Sequence, residues 1–161
     1  MGKKDIRVMI EDVKFGARVV GVLKKNNKIL FQKRANDEFW ALPGGAIEVM
    51  ERAKDVIVRE LEEEIGLKDV IIKKSLWFVE YFFNFDNTNW HQYIIGYLLD
   101  VKNDCEILDK EEFSGIEEGK NIIYKWIDLD DIKNAPIKPE YLKEKLLDTD
   151  SAFEFIEESD L

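Results

Sequence analysis

The chain has 161 residues with 24 basic and 34 acidic side chains, and its net charge of −10 disfavours a general affinity for a nucleic acid backbone. One cysteine, Cys105, excludes an internal disulfide, and one histidine, His91, excludes a Zn²⁺ site built from several His and Cys ligands. No apolar run approaches the roughly 18 residues of a membrane helix, and the opening MGKKDIRVMIED lacks the apolar core of a signal peptide, so the expected compartment is the cytoplasm.

The length suits a single domain over residues 1–161, able to bury most of its apolar side chains in one core. Residues 1–14 mix charge with Ile6, Val8, Met9, Ile10 and Val13, which leaves an extra edge strand or a loose arm open. FGARVVGVL at 15–23 is rich in β-branched residues, Asn26 and Asn27 mark a turn, and KILFQKR follows as a second strand, so this part reads as a hairpin. RANDEFW, from Arg34 to Trp40, is a polar turn ending in two aromatics. Pro43 then ends any regular strand, and Gly44 and Gly45 allow a backbone turn with close approach to a ligand.

A helix is predicted from about Met50 to Ile65, with Gly66 in the stop position. At about 100° per residue, Ala53, Ile57, Leu61 and Ile65 define an inward apolar arc flanked by Val56 and Val58. Glu60 and Glu64 project into that arc, although Glu51, Asp55, Arg59 and Glu62 show that the solvated side had room for charge. An unpaired buried carboxylate costs several kcal/mol, on the order of the known penalties, so acids placed inward imply a cation or a metal. Glu60, Glu63 and Glu64 stand at i, i+3 and i+4 and are neighbours, and an all-oxygen cluster suits a hard ion such as Mg²⁺ or Mn²⁺. The positive end of the helix dipole beside the glycines favours an anionic ligand there.

Residues 70–99 alternate as β structure, with DNTN at 86–89 as the turn of a long hairpin. Nine aromatics from Trp77 to Tyr97 exceed what one sheet face accommodates, which points to a base-stacking pocket or a homodimer contact beside ordinary core packing. His91 reads as a hydrogen-bonding strand residue. Asn103 to Lys120 is a long acidic connection, Ile122 to Ile127 is expected as the last strand, and Asp128 to Ile132 as the opening of a helical turn. EYLKEKLL then reads as an amphipathic helix, and residues 149–161 form an acidic tail with Phe153 and Phe155 as anchors.

From Gly45 to Leu67 the chain fits G-x5-E-x7-R-E-(aliphatic)-x-E-E-x-G-(aliphatic) at every fixed position, and so resembles the Nudix box of the Nudix hydrolases. FWALPGG before it and WIDLDDI after it extend the resemblance over roughly Val19 to Leu147. It implies an α/β (α+β) Nudix fold, a mixed β-sheet sandwiched between helices, with the loop and helix of the box carrying the metal site. It also implies a metal-dependent hydrolase that cleaves a pyrophosphate bond in a nucleoside diphosphate linked to another moiety.

By the same resemblance the metal ligands are the Gly44 carbonyl, Glu60, Glu63 and Glu64, with Glu118 completing the cage from the loop ahead of the late strand. Glu117, Glu111, Glu112 and Glu80 stay open as alternatives. Glu60 or Glu63 serves as the catalytic carboxylate, Glu51 as an outer group, and Arg59 as an orienting partner for a glutamate. Arg34, Trp40, Tyr81 and Phe83 are the candidate substrate contacts. The window around Tyr81 to Phe83 has no proline of the kind that marks ADP-ribose hydrolases, and its tyrosine is early for diadenosine polyphosphate hydrolases, which leaves a small nucleotide as the default partner. Two other classes compete: a catalytically silent nucleotide-binding regulatory module, against which the intact RELEEE speaks, and a diphosphate isomerase, for which Cys105 is the only candidate cysteine.

Overall fold

The computed structural model describes residues 4–102 and 105–161, so the expectations for Met1 to Lys3 and for Asn103 and Asp104 lie outside the described residues. Its strands are β1 (Arg7–Ile10), β2 (Val13–Lys25), β3 (Lys28–Arg34), β4 (Gly44–Ala46), β5 (Val70–Phe85), β6 (Thr88–Val101), β7 (Glu112–Ser114), β8 (Ile122–Asp128) and β9 (Glu154–Ser159). The helices are α1 (Ala53–Ile65) and the single turn α2 (Leu142–Lys145). The sheet runs β7-β8-β3-β2-β6-β5-β9, with β1 and β4 also paired to β2.

The long strand β2 organises this sheet. It pairs antiparallel with β1 at its start, parallel with β6 along eleven positions, and antiparallel with β4 at Arg18 to Val20. Its pairing with β3 is confined to the hairpin end, Lys24↔Ile29 and Lys25↔Lys28, after which β3 leaves it to pair with β8. The hairpin turn places Asn26 and Asn27 at positive φ, 51° and 64°, as a tight turn of that twist requires. Residues 41–46 fill the gap that opens between β2 and β3, bridging Ala41 to Gln32 on one side and Gly44 to Val20 on the other.

Alternation along β2 divides the core in two. Val20 and Val22 face a cluster with Trp77, Val79, Tyr81 and Ile94 that is roofed by Ile132, Ile137, Leu142 and Leu146. Val19 and Leu23 face the opposite cluster, closed by Val56, Ile57, Leu61 and Ile65 of α1. The mixed sheet is thus covered by helix on both faces, as the Nudix resemblance implies.

Several local expectations are corrected. Gly44 and Gly45 form a strand, with no positive φ, and their need for glycine is one of space: a Cβ on Gly44 would lie 2.0 Å from the Val19 carbonyl oxygen. The helix begins at Ala53 and not at Met50, which takes φ 69°, because Arg52 before it is extended, and Gly66, at φ 71°, stops it. EYLKEKLL keeps only one helical turn, since its buried residues Leu142 and Leu146 supply a single inward row. The helical turn expected to open over 128–132 is a 3-10 turn at Ile132–Asn134, entered through Asp131. The long acidic connection contains a 3-10 turn at Glu106–Asp109 and the short strand β7.

The arm at the start of the chain is an edge strand, β1, exposed along its length. β8 is not the last strand. The acidic tail forms β9, which adds parallel to the edge of β5 from Trp77↔Glu154 to Phe82↔Ser159. Phe153 and Phe155 are not its anchors, being 46% and 80% exposed. The main-chain ladder holds the tail, with Ile156 packed on the core and Lys145 Nζ 2.8 Å from Glu154.

Candidate active site

A cleft of about 1040 Å³ opens where α1, β4 and the loop ahead of β8 meet, lined by Gly44, Gly45, Glu60, Glu63, Glu64 and Glu117 among others. It is the side of α1, and not its first turn, that faces the cleft. Eight acidic and four basic side chains line it, a balance suited to a bound cation.

Glu64 is 8% exposed, and its carboxylate accepts a hydrogen bond from the Tyr124 hydroxyl at 2.9 Å and faces Lys120 Nζ at 3.5 Å. Burial comes first, and hydrogen bonding with Glu64 second, in pushing the Glu60 carboxyl up to about 7. A like charge beside a half-buried carboxyl disfavours its ionised form, and a cation placed between the two acids would relieve that. A Cβ on Gly45 would lie 2.8 Å from Glu60 Cδ, so glycine there lets the strand and the carboxylate approach. Burial raises the Tyr124 hydroxyl above its ordinary range, and the Glu64 charge adds to it, so Tyr124 remains a donor.

Arg59 is not the solvated residue that helical spacing places on the outer arc. Its Nη1 donates to both oxygens of Glu51 at 2.6 and 2.8 Å, Nη2 lies 3.5 Å from Glu60, and Nε lies 3.8 Å from Glu63. It ties three acids of the box together, with Glu51 outside the cleft lining and Glu63 half exposed inside it. Among the described residues no three His, Cys, Asp or Glu side chains are gathered as a ready ligand set. The Glu60 and Glu64 pair, with Glu63 on the same helical turn, nonetheless has the donor chemistry of a hard divalent ion.

In the loop ahead of β8 the geometry selects Glu117 over Glu118. Glu117 lines the cleft and lies 3.0 Å from Lys120 Nζ, whereas Glu118 is exposed and outside it. Consecutive residues cannot both face inward here, and Gly119 at φ 79° reverses the chain directly after them. Glu80, Glu111 and Glu112 do not line the cleft, nor does Cys105, which packs against the cluster beneath α1.

A second cavity of about 520 Å³ adjoins the first, walled by Phe39, Leu42, Tyr81, Phe83, Trp90 and Tyr141. The hairpin aromatics divide by parity. Tyr81, Phe83 and Trp90 point into this cavity, with Phe83 and Trp90 stacked at 5.7 Å, while Phe82 and Tyr93 lie on the other face around His91. His91 is an aromatic packing residue there, its Nε2 buried without a hydrogen bond. Of the expected substrate contacts, Tyr81 and Phe83 line this cavity and Arg34 lines the acidic cleft, paired with Asp37 and lying over Phe85 at 4.8 Å. Trp40 lines neither: at 8% exposure it is a core residue, and its neighbour Phe39 takes the cavity position.

One residue escaped the sequence reading. Arg18 lines both cavities, facing Glu64 and Glu60 without hydrogen-bonding either, and burial lowers its guanidinium from the ordinary value while those two acids act the other way. The signal was present: Arg18 shares the inward face of its strand with Val20 and Val22, the same anomaly that marks Glu60 and Glu64 on the helix.

Comparison with known proteins bears on the family and the fold. The NUDIX domain family model matches residues 14–146. An ADP-ribose pyrophosphatase of Methanocaldococcus jannaschii is 48% identical over 52 residues, a match that spans 30% of this chain and 31% of that protein. An uncharacterized Nudix hydrolase of Bacillus subtilis, YvcI, is 30% identical over 118 residues, 73% of this chain and 69% of that protein. Among solved structures, an ADP-ribose pyrophosphatase from Streptococcus suis superposes with a TM-score of 0.60 at 19% identity, covering 89% of this chain and 98% of that one. With a family model that covers most of its length and a helix that carries the box intact, the chain belongs to the Nudix hydrolase family.

Proposed function

We propose that this chain is a metal-dependent pyrophosphohydrolase acting on a nucleoside diphosphate linked to another moiety. The observation that carries this reading is the continuity of an acidic cleft with an aromatic cavity through Arg18, which lines both. A diphosphate attached to a nucleoside has that same order of chemistry: a polyanion at one end and a flat ring at the other. ADP-ribose, in the names of the M. jannaschii and S. suis relatives, belongs to this class.

Glu60, Glu63, Glu64 and the Gly44 carbonyl would hold Mg²⁺ or Mn²⁺, with Glu117 in the place first given to Glu118. When bound, the metal withdraws charge from phosphorus and acidifies water. The protein's own groups do the rest. Glu60, with a carboxyl pushed up to about 7, can take or hold a proton near neutrality. Arg59 restrains Glu60 and Glu63 on one side, and Tyr124 fixes Glu64 on the other. Arg18 supplies positive charge to the phosphate nearest the nucleoside, and the aromatic wall formed by Phe39, Tyr81, Phe83 and Trp90 offers apolar surface to the base.

A panel of nucleoside diphosphate conjugates and nucleoside triphosphates, assayed for phosphorus-containing products with and without Mg²⁺, tests the reading. Metal-dependent release of a nucleoside monophosphate is expected. Tight nucleotide binding without turnover at any metal concentration would overturn it in favour of a binding module.

A further inference from the structure

We propose that the C-terminal strand supplies the base-selecting residue of the substrate cavity: Asp160 accepts hydrogen bonds from the amino-bearing edge of adenine, guanine or cytosine and discriminates against uracil. This rests on the reading above that the aromatic cavity takes the nucleoside.

The placement of Asp160 is fixed by the backbone. β9 runs beside β5 in register up to Phe82↔Ser159, and the Asp160 N–H then donates to the Phe82 carbonyl at 2.9 Å. The Tyr141 N–H, from the wall of the same cavity, donates to Glu158 at 2.7 Å and ties the strand to that wall. Asp160 therefore stands at the cavity even though the family match ends at residue 146.

Its side chain is oriented as well as placed. The Tyr81 hydroxyl donates to Asp160 Oδ2 at 2.5 Å, and burial together with the Asp160 charge raises the Tyr81 hydroxyl above its ordinary range, so it stays a donor. A carboxylate has no hydrogen to give, and its remaining lone pairs require a donor from the ligand. The walls around it are largely apolar and aromatic, with Gln92 opposite Tyr81 across the strand pair as an adaptable amide. Of the other acids at the cavity, Asp37 is held by Arg34, and Glu38, exposed as Asp160 is, stands on a loop and not beside the Tyr81 hydroxyl that orients Asp160.

Adenine, guanine and cytosine each carry an exocyclic amine that can donate to Asp160. Uracil presents its single ring N–H between two carbonyl oxygens, whose lone pairs repel a carboxylate. Asp160 is itself exposed, so water can satisfy it when a ligand brings no donor, and the discrimination comes from the repulsion between its charge and the uracil carbonyl oxygens.

The test is kcat/KM for ADP-, GDP-, CDP- and UDP-glucose, which differ only in the base, and for the four nucleoside triphosphates, all with Mg²⁺. The wild-type protein is expected to prefer at least one aminated base over uracil by roughly tenfold or more, and D160N, which adds an amide donor, is expected to erase that preference. E157Q, a change of the same charge on an exposed residue of β9, is expected to preserve it. A purely structural role for the strand would lower all substrates together and leave the ratio intact, so an unchanged ratio in D160N overturns the inference. Equal wild-type activity on uracil and aminated substrates overturns it too, while leaving the hydrolase reading standing. Hydrolysis of none of the eight compounds overturns the inference; turnover of ADP-ribose in the same assay would then leave the hydrolase reading standing, and its absence would remove both.

Discussion

The acidic cleft and the aromatic cavity lie side by side and are built in opposite ways. The cleft takes four charged residues, Arg59, Glu60, Glu63 and Glu64, from one helix, so the larger part of its proposed metal chemistry is set by spacing along six consecutive residues, with Gly44, Arg18 and Glu117 added from other elements. The cavity takes Val20 from β2, Tyr81 and Phe83 from β5, Trp90 from β6, Phe39 from a loop, and Asp160 from beyond β9. A site on one helix is specified locally. A site gathered from distant segments depends on the whole sheet register, and its composition can change without disturbing the first.

That division predicts separable kinetics. The largest effect is expected for Glu64→Gln, with kcat falling roughly 10²–10³-fold, the scale for loss of one preorganised electrostatic group, and the fold retained by circular dichroism. A change confined to KM would break the division. Next comes Arg18→Gln, at the junction, where loss of a charged hydrogen bond to substrate worth about 1.5–3 kcal/mol lowers kcat/KM by roughly 10- to 100-fold. Steady-state kinetics showing both kcat and KM affected would mark Arg18 as belonging to both sites.

Trp90→Ala is expected to raise KM about tenfold with kcat nearly unchanged, within the roughly 1–3 kcal/mol that stacking on a base supplies. A large fall in kcat would show that the cavity also orients the reacting phosphate.

A smaller effect separates the two regions by pH. The Glu60 carboxyl is raised from 4.5 to about 7 in the metal-free protein. Its contribution to stability is complete below the unfolded value and is lost as pH rises through the folded one. The melting temperature of wild-type protein in chelator should therefore fall between about pH 4.5 and 7 by more than that of Glu60→Gln. Parallel curves would show that the folded protein does not raise the Glu60 carboxyl. The smallest effect is expected for Phe155→Ala, on an 80% exposed side chain, which should shift stability by no more than about 0.5 kcal/mol in denaturant titration.

The two regions also differ in how far they can be read from the chain. The helix could be read because 3.6-residue periodicity exposes an acid on an apolar arc, and Glu60 and Glu64 are such acids. The two-residue turns at Asn26–Asn27 and Asp86–Asn87 were legible for a similar reason, since both need positive φ at adjacent residues. Arg18 was within reach of the same argument applied with period two. Glu118 over Glu117 was not decidable, because a loop has no period and one peptide unit reverses the facing. Trp40 and Phe39 illustrate the same limit: adjacent aromatics in a turn take opposite environments, one core and one cavity. The strand at the tail stayed hidden because EFIEES is half acidic and acquires its pairing only from the free edge of β5, more than seventy residues away.

The manner in which β9 is held has a consequence for how this protein can vary. Its attachment rests on main-chain hydrogen bonds, which are indifferent to side-chain identity, and alternate residues along it, Phe155, Glu157 and Ser159, stand exposed. Substitution at these exposed positions, and at residue 160 just past them, therefore meets little resistance from the core, which the strand touches through Ile156. The segment behaves as an exchangeable edge: a new preference for one base over another can be tried there while the acids that act on phosphorus, carried on a different element, are left as they were.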